Sequence, residues 1–218
     1  MKRLKIVAFG DSMTQAMQVA PGKRWPAMLE RRLGKALAPR KVTVINAGVG
    51  GNTSREGLRR IEKDVLAHRP GWILVEFGGN DATIEPARHV PIKEFNKNLQ
   101  KICEKASAIK ARVALINFPP VVDAWHGWIT KEETRKQFNS AGGLDAAIHP
   151  YRRAVESCAR EHQCLFIDWY HHIRTAMERD GYGVYILKDG VHFTKKGNRL
   201  AFEIVFQSLR IMLLKSGL

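Results

Sequence analysis

The sequence predicts an α/β fold in which helices cover both faces of a parallel β-sheet. Short apolar runs alternate with longer segments whose apolar residues recur at helical spacing, and right-handed crossovers turn such alternation into a parallel sheet. The first run ends at Gly10 and is apolar enough for a strand that is buried on both faces. The 218 residues suffice for a single domain, 1–218, with a substantial core. The predicted strands are Lys5–Phe9, Val42–Asn46, Trp72–Phe77, Val113–Asn117 and Leu165–Asp168.

Helices are predicted between these strands and after the last of them. Apolar stripes at helical spacing cover residues 95–109, 151–159 and 200–209. Pro150 stands at a suitable first position for the second of these helices. Thr53 and Glu56 have the spacing of a capping box, so a further helix is expected to begin just after the glycine-rich turn before them.

The segment Phe118–His149, between the fourth strand and its helix, lacks a regular period. It contains a Pro-Pro pair, a Gly-Gly pair and a Trp-His-Gly-Trp run. Loops of this length are usually functional or mobile. We therefore expect either a cover over the substrate, which Trp125, His126 and Trp128 would touch, or a packed surface excursion.

The chain carries a formal charge of +15, which attracts anionic ligands and raises the hypothesis of a nucleic acid partner. The distribution of the charge argues against that hypothesis, because the basic residues form scattered pairs without a basic block or an interleaved aromatic stripe. Solvated helix faces explain such pairs. We expect a small-molecule substrate and no nucleic acid partner. The pairs are Arg31-Arg32, Arg59-Arg60, Arg152-Arg153 and Lys195-Lys196.

Cysteine usage and hydropathy bear on the compartment. Cys103, Cys158 and Cys164 are an odd number without C-x-x-C spacing, which predicts buried free thiols and neither a disulfide framework nor a zinc site. No apolar run approaches the ~18 residues that cross a bilayer, and Met1 leads into a strand and not into a signal peptide. A cytoplasmic location is expected, unless a signal peptide has been removed. The pattern gives no oligomeric state.

Polar residues follow the first strand where an open α/β sheet binds its ligands, beyond the carboxyl ends of the strands. The triplet Gly10-Asp11-Ser12 places a hydroxyl on a tight turn at this edge. That is a suitable position for a nucleophile. The same triplet also occurs in ordinary turns and helix caps, so it does not by itself assign a nucleophile.

Two more segments contribute hydrogen-bond donors to the same edge. The glycines of Asn46–Asn52, after the second strand, let the backbone approach a ligand, and the helix start beside them leaves N–H donors unpaired. This arrangement suits an oxyanion. A phosphate-binding loop or a flexible turn is the alternative, although no Walker lysine follows and the spacing is not G-x-G-x-x-G. Asn80, after the third strand, offers a carboxamide, or else caps its own loop.

Asp189 and His192, just before the last predicted helix, complete a catalytic constellation. Their spacing lets the carboxylate meet one imidazole nitrogen while the other nitrogen faces the sheet edge. An imidazole can accept the serine proton and return it to the leaving group, and the carboxylate fixes its tautomer. The other histidines lack partners at metal-ligand spacing, so we expect no metal and no organic cofactor.

In this order the four patterns resemble the SGNH hydrolase family, also called GDSL esterases and lipases, over nearly the whole chain. The resemblance implies a flavodoxin-like three-layer α/β/α sandwich, the SGNH hydrolase fold, with strand order 2-1-3-4-5. It also implies Ser12 as the nucleophile, His192 as the base and Asp189 as the group that orients it. Asp11 is a further candidate for contact with the substrate.

The resemblance further implies an oxyanion hole formed by the Ser12 N–H, the Gly51 N–H and the Asn80 amide. Gly48 or Gly50 competes with Gly51 for the second place, and Gly51 is preferred because it lies nearest the capping box.

The expected activity is hydrolysis of short acyl esters, acetyl esters above all, through an acyl-enzyme. A lysophospholipase or thioesterase of the same family is the alternative enzyme. A binding module for anionic ligands that has lost turnover is the alternative from another class, and the high charge motivates it.

Overall fold

The computed structural model describes residues 3–215, except for the side chains at positions 128, 129, 137, 214 and 215. Five parallel strands form one sheet in the order β2-β1-β3-β4-β5. The predicted strands and the order that the resemblance implied are both confirmed. The strands are β1 Leu4–Gly10, β2 Val42–Gly48, β3 Trp72–Glu76, β4 Arg112–Ile116 and β5 Leu165–Ile167.

Burial along the strands follows their place in the sheet. Every residue of β3 is buried, and in β1 all but Lys5 are buried, because helices cover both faces of these central strands. The edge strand β2 is only half-buried along most of its length. The buried apolar side chains form one continuous cluster around the sheet.

Helices pack against both faces of the sheet, which gives the expected three layers. On one side α3, α4 and α7 pack in succession, and on the other α10 packs between α2 and α8. No helix within residues 3–215 is long and apolar enough to span a lipid bilayer. The helices are α1 Ser12–Gln15, α2 Trp25–Ala36, α3 Ser54–Asp64, α4 Ile92–Ala108, α5 Gly127–Thr130, α6 Glu132–Asn139, α7 Leu144–Glu161, α8 Trp169–Asp180, α9 Tyr182–Tyr185 and α10 Lys195–Lys215.

The start of α3 agrees with the sequence, whereas the start of α7 does not. The predicted capping box is present at α3, where the Thr53 N–H donates to Glu56 Oε2 over 2.7 Å. Helix α7 begins at Leu144, so Pro150 lies inside the helix and not at its first position. The turns of α7 that precede Pro150 are stabilised because Asp123 Oδ1 accepts a 2.9 Å bond from the N–H of Asp145.

The segment predicted to be irregular is largely folded. Between residues 118 and 149 it forms a 3₁₀ turn, the helices α5 and α6, and the first turns of α7. Its two ends are held together by Arg152, which is 3% exposed. Arg152 Nε donates to Phe118 O over 2.9 Å, and Nη2 donates to Asp145 Oδ1 over 2.6 Å. Asp145 Oδ1 also accepts a 2.8 Å bond from the Val121 N–H.

Replacing Arg152 tests whether this anchor stabilises the fold. Arg152→Met removes the donor to the buried Phe118 carbonyl and the cation beside the Asp145 carboxylate, so the free energy of unfolding should fall by about 3 kcal/mol. For a chain of this size that loss lowers Tm by roughly 6–12 °C in a thermal melt. Arg153→Met, on the exposed neighbouring residue, is the matched control and should change Tm little. Equal melting of the two variants would refute the anchor.

Candidate active site

Ser12 lies at the carboxyl edge of the sheet because β1 turns sharply into α1. At Gly10 a side chain would place its Cβ 2.3 Å from Thr14 Oγ1, so only glycine fits. The carboxylate of Asp11 caps the short helix, its Oδ1 accepting a 2.8 Å bond from the Met13 N–H. Ser12 is the first residue of α1, where N–H groups have no acceptor inside the helix.

His192 meets Ser12 across 180 residues of sequence, and Asp189 contacts the other side of the imidazole. His192 Nε2 lies 3.0 Å from Ser12 Oγ, and His192 Nδ1 lies 2.8 Å from Asp189 Oδ2. The other oxygen, Asp189 Oδ1, accepts bonds of 3.0 and 2.9 Å from the N–H groups of Val191 and His192. Burial raises the pKa of Asp189, but these hydrogen bonds outweigh it and hold the pKa below its ordinary value. The carboxylate therefore stays ionised beside the imidazole at neutral pH.

The segment 118–149 packs directly on the Asp189–His192 turn. The Val122 N–H donates to Gly190 O over 2.8 Å. Gly190 has a φ of 78°, and a Cβ there would lie 2.6 Å from Val122 O and 2.9 Å from His126 N. Only glycine allows the two segments to approach this closely.

The candidates for substrate contact on this segment are placed differently from one another. Trp125 is half-buried, with Lys188 Nζ 4.2 Å from the centre of its ring. His126 is half-buried beside the Asp189–His192 turn, and burial lowers its pKa although the Asp189 charge opposes this. The side chain of Trp128, within α5, lies outside the described residues.

The glycine-rich turn presents its backbone beside Ser12. A Cβ at Gly50 would lie 3.9 Å from Ser12 Cβ. The Gly48 N–H donates to Asn46 Oδ1, and the Gly50 N–H donates to Gln15 Oε1 over 3.1 Å. Within residues 3–215 the Gly51 N–H has no hydrogen-bond acceptor. Of the three competing glycines, Gly51 is thus the one with a donor still available.

Both amide protons of Asn80 are used within the protein. Nδ2 donates to Asp11 Oδ2 over 2.9 Å and to Asn52 O over 3.1 Å. Both partners are acceptors, which fixes the orientation of the amide. Asn80 can bind a third acceptor only by giving up one of these bonds, and the bond to Asn52 is the longer.

Asp11 does not form an exposed surface for substrate, contrary to the sequence-based expectation. The residue is 1% exposed, and its carboxylate lies between the Met13 N–H and the Asn80 amide. Burial raises its pKa to about 6. The structure therefore gives Asp11 a positioning place beneath Ser12.

Glu76, a residue that sequence reasoning did not single out, lies beside Asp11 at the buried end of β3. Thr14 Oγ1 donates to Glu76 Oε2 over 3.0 Å, whereas buried Oε1 has no donor. Burial and the neighbouring charge of Asp11 raise the pKa of Glu76 well above its ordinary value. The raised pKa favours the neutral form of the Glu76 carboxyl beside the Asp11 carboxylate. The sequence did contain a signal for Glu76, because an ionisable residue within an apolar strand is unusual.

Arg60, also missed from the sequence, ties the strand ends of the site together. Its Nη2 donates to Gly10 O over 2.8 Å and its Nη1 to Ala47 O over 2.7 Å, at the ends of β1 and β2. Its Nε donates to Asn52 Oδ1 over 2.7 Å, within the glycine-rich turn.

A cavity of about 10 Å³ adjoins Ser12, room for little more than one small group. Its walls are mostly apolar. Within residues 3–215 no group of three or more His, Cys, Asp or Glu side chains is arranged so that it could hold a metal ion. The cavity is lined by Ser12, Met13, Ala16, Gln18, Val19, Phe193 and Asn198.

Curated proteins related in sequence include several enzymes. The chain is 27% identical over 210 residues to the human isoamyl acetate-hydrolyzing esterase 1 homolog, with 91% of this chain and 78% of that protein covered. It is 30% identical over 111 residues to thioesterase 1/protease 1/lysophospholipase L1 of Escherichia coli (strain K12), covering 51% of this chain and 49% of that protein. The match thus spans about half the length of the latter relative.

Solved structures share the fold. The lipase/acylhydrolase from Enterococcus faecalis superposes with a TM-score of 0.74 at 27% identity, covering 94% of this chain and 95% of that one. Axe2, an acetylxylan esterase from Geobacillus stearothermophilus, superposes with a TM-score of 0.74 at 21% identity, covering 94% and 93%. The model of the GDSL-like lipase/acylhydrolase family matches residues 8–200. The chain belongs to the GDSL-like lipase/acylhydrolase family.

Proposed function

We propose that this chain is a serine esterase that hydrolyses short acyl esters, acetyl esters above all, through an acyl-enzyme on Ser12. The observation that carries the proposal is the chain of contacts from Ser12 Oγ to His192 Nε2 at 3.0 Å and from His192 Nδ1 to Asp189 Oδ2 at 2.8 Å. Family membership and relatives that are named as esterases support it.

Acylation transfers the Ser12 proton to His192 and replaces the ester bond of the substrate with an ester bond to Ser12. Ser12 Oγ attacks the ester carbonyl carbon while His192 Nε2 takes the hydroxyl proton. Asp189 holds the imidazole in the tautomer with Nε2 free and stabilises the imidazolium that forms. The tetrahedral intermediate then collapses, and the alcohol leaves with the proton from Nε2. Water deprotonated by the same nitrogen hydrolyses the acyl-enzyme and restores the Ser12 hydroxyl. These steps need no metal or organic cofactor.

The negative charge that develops on the carbonyl oxygen is stabilised by three donors. The N–H groups of Ser12 and Gly51 are available for this purpose. Asn80 supplies the third donor when its bond to Asn52 O, the longer of its two, is exchanged for the oxyanion. The bond to Asp11 keeps the amide aimed during the exchange.

The small cavity beside Ser12 supports acetyl over longer acyl groups. Its volume of about 10 Å³ admits a methyl group and excludes an extended chain. A lysophospholipase or thioesterase activity, which the name of the Escherichia coli relative suggests, would require a longer acyl site. A binding module for anionic ligands that has lost turnover is the third candidate.

A cytoplasmic location stays a prediction.

Ser12→Ala tests the nucleophile. We expect ester hydrolysis to fall by at least about 10³-fold, because no other hydroxyl replaces Oγ, with Tm nearly unchanged. A fluorophosphonate probe should label the wild-type chain on Ser12 and should not label the variant. Ser107→Ala, an exposed serine at the end of α4, is the control that keeps both properties. A wild-type chain that resists the probe and does not turn over any short ester would favour the silent binding module.

Val19→Ala tests the acyl preference. Val19 is 7% exposed and lines the cavity, so removing its methyl groups makes room for a longer acyl chain. The wild type should prefer acetyl to butyryl esters of the same alcohol, and the variant should shift the ratio of their kcat/KM values about 10-fold toward butyryl. Val42→Ala, at the start of β2, loses the same two methyl groups and should leave the ratio unchanged. An equal preference for long chains in the wild type would favour the lysophospholipase or thioesterase.

Asp11→Asn tests the positioning of Asn80. An asparagine has one acceptor oxygen, so it serves either the Met13 N–H or the Asn80 amide and not both. We expect kcat to fall by about 10²-fold with little change in KM, as for a misaligned oxyanion donor. Glu76→Gln is the matched control, because its neutral amide has the shape of the neutral carboxyl and its oxygen can still accept from Thr14. Unchanged kcat in Asp11→Asn would remove Asp11 from the catalytic machinery.

A further inference from the structure

All three cysteines of the chain lie together, although they are far apart in sequence. Cys103 is on α4, Cys158 on α7, and Cys164 directly precedes β5. The sulfurs of Cys103 and Cys164 are 4.0 Å apart, and Cys158 is close enough to Cys103 to affect its thiol. Cys103 and Cys158 are buried free thiols, as predicted, whereas Cys164 is only half-buried. The odd number of cysteines gave no reason to expect a pair, but Cys103 and Cys164 are close enough to react.

Cys103 and Cys164 open into a surface groove at the amino ends of β3, β4 and β5. The groove has a volume of about 960 Å³, enough for a ligand the size of a peptide of a few residues. It lies at the opposite edge of the sheet from Ser12. Its lining includes the cations Lys110 and Arg112 and one carboxylate, Glu104, so its net positive charge suits an anionic ligand.

The two thiols are not equivalent. The hydrogen bond from Cys103 lowers the pKa of the Cys164 thiol, although burial opposes this. The neighbouring sulfurs of Cys158 and Cys164 raise the pKa of Cys103. The half-buried Cys164, which lines the groove, is therefore the better nucleophile toward a ligand there, and the buried Cys103 is placed to react second.

We propose that Cys103 and Cys164 are a reactive dithiol, which anionic low-molecular-weight disulfides of the glutathione type oxidise to an intramolecular disulfide from this groove. The Cys164 thiolate attacks one sulfur of the small disulfide, forming a mixed disulfide and releasing one thiolate. Cys103 loses its proton and attacks Cys164 Sγ, which forms the protein disulfide and releases the second thiolate. The protein is oxidised by two electrons, and one small disulfide is reduced to two thiols.

The bond requires the sulfurs to close from 4.0 Å to about 2 Å. Cys164 can supply this movement because it lies in the turn between α7 and β5. Its N–H bonds to Ala159 O at the end of α7, and the preceding Gln163 has a φ of 53°. The cross-link closes a loop of 61 residues that includes all of β4 and α7. Such a constraint on the unfolded chain raises Tm by roughly 5 °C or more.

The test uses the full chain, reduced, desalted and then treated with oxidised glutathione. We expect the count of free thiols in denaturant to fall from three to one, with a mass loss equal to two hydrogen atoms. Peptide mapping should link Cys103 to Cys164, and Tm should rise and return when a reductant is added. Hydrolysis of a short ester should be retained, because the groove and Ser12 lie at opposite edges.

Single variants assign each step. Cys158→Ala should form the same disulfide, Cys103→Ala should stop at a mixed disulfide on Cys164, and Cys164→Ala should not react. Three free thiols after treatment of the wild type would overturn the proposal. So would a wild-type chain that stops at the mixed disulfide, or a bond between Cys103 and Cys158.

Discussion

The carboxylate of Asp11 is the contact on which the site depends. One oxygen holds the first turn of α1, where Ser12 begins, and the other holds the amide of Asn80. A buried carboxylate is expensive unless donors surround it. The raised pKa of Glu76 favours its neutral form, which keeps a second negative charge away from Asp11. Ser12 and Asn80 are thus aligned through one side chain.

Arg60 extends this alignment to the glycine-rich turn. By donating to the carbonyls of Gly10 and Ala47, it fixes the ends of two neighbouring strands relative to each other. Its third bond, to Asn52, fixes the turn that presents Gly51. The site is therefore held from two sides. Asp11 and Glu76 lie at the end of the sheet, and Arg60 reaches it from α3. A site built on strand ends is held more precisely than one built on free loops.

Local sequence patterns correctly predicted the features that depend on neighbouring residues. The apolar runs gave five strands, the capping box gave the start of α3, and the motifs that follow the strands gave residues that the fold brings together. No bounds were predicted for α2, and α8 was missed, although Pro26 stands in the first turn of α2 and Asp168 caps α8. The start of α7 was misplaced because its cap comes from Asp123 on a different segment. Asp11, Glu76 and the cysteine cluster depend on burial and on contacts between distant segments, which sequence spacing does not encode.

The distance in sequence between Ser12 and His192 has a consequence for synthesis. A chain emerging from the ribosome exposes the hydroxyl first, and the imidazole 180 residues later. Until that imidazole and the helix after it have left the exit tunnel, it cannot face the hydroxyl. Under the proposed mechanism, nascent and prematurely terminated chains are therefore unable to form an acyl-enzyme, and hydrolysis would report only molecules whose translation has reached the last helix.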